Sequence, residues 1–112
     1  MAVTELEYTV EPFGGRVVLA MTELDDASKV YSLGADNPST IIRGHCARTN
    51  GVTFTLDVYV SNDNVNWAIL AQPTSGTSTY SIIPGAAVRF VKTVLSAVSG
   101  ATTLWFTCTW VK

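Results

Sequence analysis

The sequence predicts an all-β fold: an antiparallel β-sandwich or jelly-roll of about eight to nine strands, forming a single domain over residues 1–112. Thr, Val, Ile and aromatic residues recur in short runs separated by Gly, Pro, Asn, Asp and Ser, as in strands joined by turns. The runs are spaced as expected for a sandwich or barrel. No segment longer than one or two turns has the periodicity of an amphipathic helix.

The chain is expected to begin with two strands joined by a tight turn. Apolar residues alternate with acidic or polar ones over 5–10, which predicts a half-buried strand. The Pro and the Gly-Gly pair of 11–15 should end it, because Pro has no N–H to donate and Gly-Gly permits a tight turn. Residues 16–23 then form a second strand. The apolar residues of the first strand are Leu6, Tyr8 and Val10.

The following segment leaves one alternative open. Residues 25–28 are typical of either a hairpin turn or one helical turn capped by an aspartate. Residues 35–39 are expected to form a loop, because a proline disfavours the helical conformation in the residue before it. A strand follows over 40–48, and the Asn-Gly of 49–51 is a strong hairpin signal.

The clearest alternation lies over 52–60, and it predicts a strand with one apolar face. That face consists of Phe54, Leu56, Val58 and Val60, and the opposite face of Thr53, Thr55, Asp57 and Tyr59. The Asn and Asp residues of 61–64 predict a β-turn, since a calcium site would need the spaced acids of an EF-hand loop. The remaining strands are predicted over 66–71, 78–83, 87–95 and 103–111.

The last strand carries apolar bulk on both faces, so either it is central to two packed layers or one face meets a partner. Alternation places Trp105 and Trp110 on opposite faces. One face consists of Leu104, Phe106, Cys108 and Trp110, and the other of Trp105, Thr107, Thr109 and Val111.

The residues needed for catalysis or metal binding are missing from the sequence pattern. His45 is the only histidine, and alternation sends it and Cys46 to opposite faces of their strand. Cys108 is the only other soft ligand, so no metal or cofactor is expected, and two free thiols are favoured over a disulfide. Asp25 and Asp26 are adjacent in a turn, and no nucleophile motif or phosphate-binding loop is present. The sequence therefore predicts that the protein is not an enzyme.

The composition favours a protein that docks on other proteins. Charged residues make up 14% of the chain and hydrophobic residues 47%, so much of the surface of so small a domain must be weakly polar or apolar. The net charge of −2 disfavours nucleic acid as a partner. No apolar run is long enough for a membrane span or signal peptide, so a cytosolic product is expected.

Two strings resemble those of small tailed-phage virion proteins. Over 55–67 a strand ends in Ser-Asn-Asp and a short link leads to a Trp, and 87–92 is similar to the aromatic-and-basic strand that follows in those proteins. The commonest form of the motif has Gly where this chain has Asn64. Discoidin-like and other carbohydrate-binding β-sandwiches contain similar strings. The resemblance covers roughly residues 52–112.

The resemblance implies a capsid decoration (cement) protein, made in the host cytoplasm and located in the virion. Its partners would be the major capsid protein or another virion protein, and further copies of itself as a dimer or trimer. A glycan-binding module and a tail or baseplate component remain alternatives. Because interface energy concentrates in aromatic anchors, the candidate contact residues are Tyr59, Trp67, Trp105 and Trp110. If one of the three Trp residues lies in the core, truncating it would unfold the domain instead of only weakening binding.

Overall fold

The structure is a computed structural model that describes residues 3–22, 27–33, 41–48, 53–74, 79–82, 88–98 and 103–111. These residues form nine strands and no helix that could cross a membrane, and the predicted all-β class is confirmed. The turns predicted at 35–39 and 49–51 lie outside the described residues, as do Asp25 and Asp26. The strands are β1 (Thr4–Glu11), β2 (Gly14–Met21), β3 (Tyr31–Ser32), β4 (Ile41–Arg48), β5 (Phe54–Ser61), β6 (Trp67–Ala71), β7 (Thr79–Ile82), β8 (Phe90–Val98) and β9 (Leu104–Val111).

The strands form two antiparallel sheets with a nested pairing. The five-stranded sheet has the order β1-β2-β9-β4-β7, and the four-stranded sheet the order β3-β8-β5-β6. The innermost pair is β5 with β6, followed outward by β4 with β7, β3 with β8 and β2 with β9. A long hairpin rolled into two sheets in this way is the jelly-roll topology. β1 extends it as an edge strand.

The core lies between the sheets and follows the predicted alternation of β5 and β9. Phe54, Leu56 and Val58 of β5 are buried, whereas Tyr59 on the opposite face is partly exposed. β9 is the middle strand of the five-stranded sheet; one face lies in the core and the other is open to solvent. Its core residues are Leu104, Phe106, Cys108 and Trp110, which pack with Val17, Leu19 and Met21 of β2, Ile42 and Cys46 of β4, and Val91 and Leu95 of β8.

The first turn differs from the prediction that the Gly-Gly pair forms it. β1 runs to Glu11 and β2 begins at Gly14, so Pro12 and Phe13 make the turn. The glycines are strand residues because their neighbours leave no room for a Cβ. At Gly14 a Cβ would collide with the Trp110 carbonyl oxygen, and at Gly15 it would lie 2.5 Å from the Trp110 ring.

β1 also departs from simple alternation. A register shift between Glu5 and Glu7 makes Leu6 the extra residue of a β-bulge, and Leu6 is 55% exposed instead of half-buried. Val10 is exposed as well, and only Tyr8 of the predicted apolar face packs against the core. An edge strand with little inward bulk contributes less to the core than the sequence pattern indicates.

An aromatic cluster ties the two sheets together where β1 and β3 are both edge strands. The rings of Tyr8 and Tyr31 meet edge to face, with centroids 4.9 Å apart. The Tyr8 hydroxyl donates to the Ser32 carbonyl oxygen at 2.6 Å, and the Tyr31 hydroxyl donates to a Glu5 carboxylate oxygen at 2.9 Å. Lys29 Nζ lies 3.3 Å from the same Glu5 oxygen. Burial, opposed by the Ser32 bond, raises the pKa of Tyr8, and burial together with Glu5 raises that of Tyr31.

The position of β8 differs from the predicted 87–95. The strand begins at Phe90 because its ladder with β5 begins there, opposite Ser61, and it continues to Val98, opposite Phe54. Pairing with an eight-residue partner therefore sets its limits. The other predicted strands agree with the observed bounds to within a few residues.

Candidate docking surfaces

The turn between β5 and β6 is organised by the Asp63 carboxylate. Its oxygens accept hydrogen bonds from the backbone N–H groups of Val65 at 2.9 Å and Asn66 at 2.8 Å, and from the Asn66 side-chain amide at 2.7 Å. The Ser61 hydroxyl also donates to it at 3.0 Å. These bonds, led by the Asn66 and Val65 N–H groups, hold the Asp63 pKa below its ordinary value. The carboxylate is thus used within a turn, in agreement with the turn predicted from the sequence.

Asn64 adopts the left-handed conformation, with φ of 62°. Asn tolerates this region better than most non-glycine residues because its side chain is short and polar. Asn64 stands where the commonest form of the motif has Gly, and at this position the backbone has a positive φ. The turn delivers the chain to Trp67 at the first position of β6.

An aromatic platform lies on the outer face of the four-stranded sheet. In the register of the sheet, Tyr59 stands opposite both Lys92 and Ile69, and Ser61 opposite both Trp67 and Phe90. Lys92 Nζ lies 4.3 Å from the Trp67 ring centroid and 5.8 Å from that of Tyr59, which is within cation–π range of both rings. Ile69 is 49% exposed. The aromatic platform comprises Tyr59, Trp67, Ile69, Phe90 and Lys92.

A buried carboxylate borders the platform on the same face. Asp57 lies two residues before Tyr59 on β5, with only 8% of its surface exposed. One oxygen accepts hydrogen bonds from the Gln72 side-chain amide at 2.9 Å and the Ser96 hydroxyl at 3.2 Å. Asp57 therefore anchors the segment after β6 to β5 and β8, which supports the platform from one side.

A second surface, the Trp105 face, is the outer side of the five-stranded sheet. Trp105 is 40% exposed and stands between Ala20 of β2 and Ala47 of β4 in the register. The small side chains on either side leave the indole standing above its neighbours. Other members of the face are Glu7, Thr9 and Glu11 of β1, Arg16 and Val18 of β2, Thr107, Thr109 and Val111 of β9, and Arg43 and His45 of β4.

A groove of about 460 Å³ opens on the β1–β2 side of the Trp105 face. Gly14 and Gly15 belong to its lining, and Glu7, Thr9 and Glu11 follow one another along it. Glu7 accepts two hydrogen bonds from the Arg16 guanidinium, at 2.9 and 2.8 Å, and these bonds lower its pKa. The remaining lining residues are Phe13, Trp110 and Val111.

The structure brings together only two of the four aromatic residues singled out in the sequence. Tyr59 and Trp67 share the aromatic platform, whereas Trp105 lies on the outer side of the other sheet. Trp110 is a core residue with 2% exposure, because it belongs to the inward-facing set of β9, so its truncation is expected to destabilise the domain. Sequence reasoning missed Lys92 as the residue linking Tyr59 and Trp67, although the aromatic-and-basic run containing it was a usable signal.

The groups that first suggest metal or thiol chemistry are separated. His45 is exposed and Cys46 is buried, on opposite faces of β4 as predicted. Cys46 and Cys108 are free thiols, fully buried instead of half-buried, and burial raises the pKa of each to about 12. Within the described ranges, no three His, Cys, Asp or Glu side chains lie close enough together to hold a metal ion.

Comparisons with known proteins leave the function to be argued from these surfaces. No protein-family model matches the chain, and no curated protein sequence matches it. Each of the two outer faces carries solvent-accessible aromatic side chains held in place by strands, which makes both faces candidate docking surfaces.

Proposed function

We propose that this chain is a structural virion protein of a tailed bacteriophage: a capsid decoration protein that docks on the assembled shell through the aromatic platform. The observation that supports this most directly is where the resembling strings lie in the fold. Residues 55–67 supply β5, the Asp63 turn and Trp67, and residues 87–92 supply Phe90 and Lys92. Both strings thus contribute to one surface.

The platform has the features of a protein-docking surface. Tyr and Trp are enriched among the residues that dominate binding energy, and such anchors are effective where apolar neighbours exclude water. Here Tyr59 and Trp67 are flanked by the exposed Ile69 and the partly exposed Phe90. Strands on both sides of β5 fix the positions of these side chains, so little conformational freedom is lost on docking.

The stabilising mechanism would be thermodynamic linkage. A protein that binds only the assembled shell stabilises it by RT ln(1 + [L]/Kd), which is about 2.7 kcal/mol per site at a hundredfold excess over Kd. Particles without the protein would still assemble but would fail earlier on heating or under internal DNA pressure. Salt should weaken docking only modestly, since the platform carries one charge, Lys92.

The platform favours a protein partner over a glycan. Sugar recognition by stacking requires a free aromatic face. The Lys92 ammonium lies over the Trp67 ring at 4.3 Å and within 5.8 Å of the Tyr59 ring centroid. A sugar ring would have to displace this charge from both aromatic residues, and the lost cation–π attraction would oppose its binding.

The test is to add purified protein to undecorated shells and to measure both occupancy and shell melting temperature. Trp67→Ala should weaken binding by about 30-fold or more, the effect of losing an interface anchor. Ile69→Ser should weaken it less. The matched control is Leu6→Ser, which removes a similarly exposed apolar side chain from β1 of the other sheet and should leave occupancy unchanged. Circular dichroism of each variant checks that the domain is folded.

Three outcomes would overturn the proposal. Retention on a polysaccharide column with elution by free sugar, without binding to shells, would show a glycan-binding module. Binding to purified tails instead of heads would show a tail or baseplate component. Full shell binding by folded Trp67→Ala and Ile69→Ser variants would show that the docking surface lies elsewhere.

A further inference from the structure

The Trp105 face has opposite charges on its two sides. The edge strand β1 presents Glu7 and Glu11, and β4, three strands away, presents Arg43 and His45. Across the sheet, Arg43 pairs with Thr109, Thr109 with Arg16, and Arg16 with Thr9, so Arg43 and Thr9 lie at the same height along the strands. That height is midway between Glu7 and Glu11 on β1. Neither Glu11 nor Arg43 forms an ion pair with another residue that the structure describes.

We propose that a second copy of this chain covers the Trp105 face, related by a two-fold axis that lies in the interface, parallel to the strands, between β2 and β9. Rotation about an axis parallel to the strands leaves each residue at the same height along them, so residues at equal heights face each other across the interface. It places β1 of one copy over β4 of the other, and β2 over β9. An isologous contact of this kind closes as a dimer.

Charge complementarity supports this particular arrangement. Arg43 of the second copy enters the groove at the level of Thr9, where it meets the Glu11 carboxylate and lies near the Glu7–Arg16 pair. The same contact occurs twice because of the symmetry. The groove, of about 460 Å³, has room for a guanidinium because Gly14, which stands between Glu11 of β1 and Val111 of β9 in the register, adds no side chain to it.

Shape points to the same axis. Trp105 of one copy lies over Ala20 of the other, because the two residues stand at the same level on β9 and β2. The exposed indole thus meets an alanine, which shares with Ala47 the smallest side chain of that row. An axis through β9 itself would instead oppose Trp105 to Trp105 and Arg16 to Arg43, placing like charges against each other.

The size of the face suits a dimer of ordinary stability. β1, β2, β9 and β4 each have eight residues. Such strands cover about 20 Å by about 27 Å, or roughly 500 Å² in projection. A standard interface buries about 800 Å² of accessible surface on each partner. Accessible area exceeds projected area on a surface of raised side chains, so the face is of the required order.

The experiment measures the dimer Kd of the full chain by sedimentation equilibrium. Arg43→Glu and Glu11→Arg should each weaken the dimer by about 30-fold or more, because each opposes like charges at two symmetric sites. The double variant Arg43→Glu/Glu11→Arg restores opposite charges and should recover affinity to within about tenfold of the unaltered chain. Trp105→Ala should weaken the dimer by about 30-fold.

The matched control is Lys92→Glu, which makes the same change of charge on the aromatic platform and should leave the dimer Kd unchanged. A monomer at all concentrations, unchanged affinity in both single variants, or no recovery in the double variant would each overturn the inference. It does not rest on the proposed capsid role. Monomeric Arg43→Glu protein should still bind shells through the platform, and Trp67→Ala protein should still dimerise, so failure of one proposal is distinguishable from failure of the other.

Discussion

Replacing Thr93 by valine should make the domain more stable. Thr93 lies on β8 opposite Val58, on the side that faces the core, and only 2% of it is exposed. Its hydroxyl has no hydrogen-bond partner among the described residues. Its backbone is well satisfied, since the N–H donates to the Ser28 hydroxyl and the carbonyl accepts from the Ser28 N–H, both at 2.9 Å. Valine keeps the shape and these backbone bonds while removing the unpaired oxygen.

The magnitude follows from the cost of burying an unpaired hydroxyl, about 1–3 kcal/mol in proteins. Valine has nearly the same volume, so we expect Thr93→Val to raise the free energy of unfolding by about 1–2 kcal/mol. For a domain of this length, each kcal/mol corresponds to about 4 °C in Tm. The Tm should therefore rise by about 4–8 °C in calorimetry, with a parallel increase in the urea midpoint and an unchanged m value.

Thr93→Ser is the matched control for this prediction. It retains the unpaired hydroxyl and removes only the methyl group, so it should lower the free energy of unfolding by about 1 kcal/mol. The reasoning is refuted if Thr93→Val is less stable than the unaltered protein. That result would show that the hydroxyl makes a hydrogen bond in the folded state.

Three further predictions concern the turn, the thiols and the glycine pair. Asp63→Ala should lower Tm, because it removes the hydrogen bonds that the carboxylate accepts in the turn. The folded state holds the Asp63 pKa below its ordinary value of 3.8, so the stabilisation from the ionised carboxylate is complete above pH 3.8 and is lost progressively as pH falls below it. An acid titration followed by circular dichroism measures this loss, and it should be smaller in Asp63→Ala. Cys46 and Cys108 should react with a thiol reagent at pH 8 only after denaturant is added, since burial holds their pKa at about 12; rapid labelling of the native protein would contradict this. Gly15→Ala should cost about 3 kcal/mol in urea unfolding, because its Cβ would collide with the Thr9 carbonyl oxygen and lie 2.5 Å from the Trp110 ring; a change below about 1 kcal/mol would show that both β1 and the ring can move aside.

Strand positions were predictable where the alternation of apolar and polar residues within a single strand is clear. The alternation around Phe54 and Leu56 assigned both faces of β5 correctly, and Asn64 was correctly placed in a turn. The Gly14-Gly15 pair was misassigned because a glycine required by a neighbouring strand has the same sequence signal as a glycine required by a turn. Only the cross-strand partner distinguishes the two cases.

The aromatic platform was half predictable for a related reason. Tyr59 and Trp67 were singled out as aromatic residues, but their association through Lys92 depends on the register between β5 and β8, which are separated by two other strands in the chain. Trp105 and Trp110 were placed on opposite faces of β9 by alternation. Alternation within one strand divides its residues into two faces but does not show which face is buried. The packing of the two sheets decides that.

The nested pairing of strands determines when each surface comes into existence during synthesis. The β5–β6 hairpin joins neighbouring segments and can form early, whereas the β2–β9 ladder joins Gly14 to Val111 across nearly the whole chain. β9 also separates β2 from β4, so the five-stranded sheet has no continuous ladder until β9 is added. A chain shortened before residue 104 would keep the hairpin that carries Trp67 but would leave the edges of β2 and β4 unpaired and prone to aggregation. The Trp105 face therefore exists only in a chain that has been synthesised through β9, so a truncated chain cannot use this face to bind a partner.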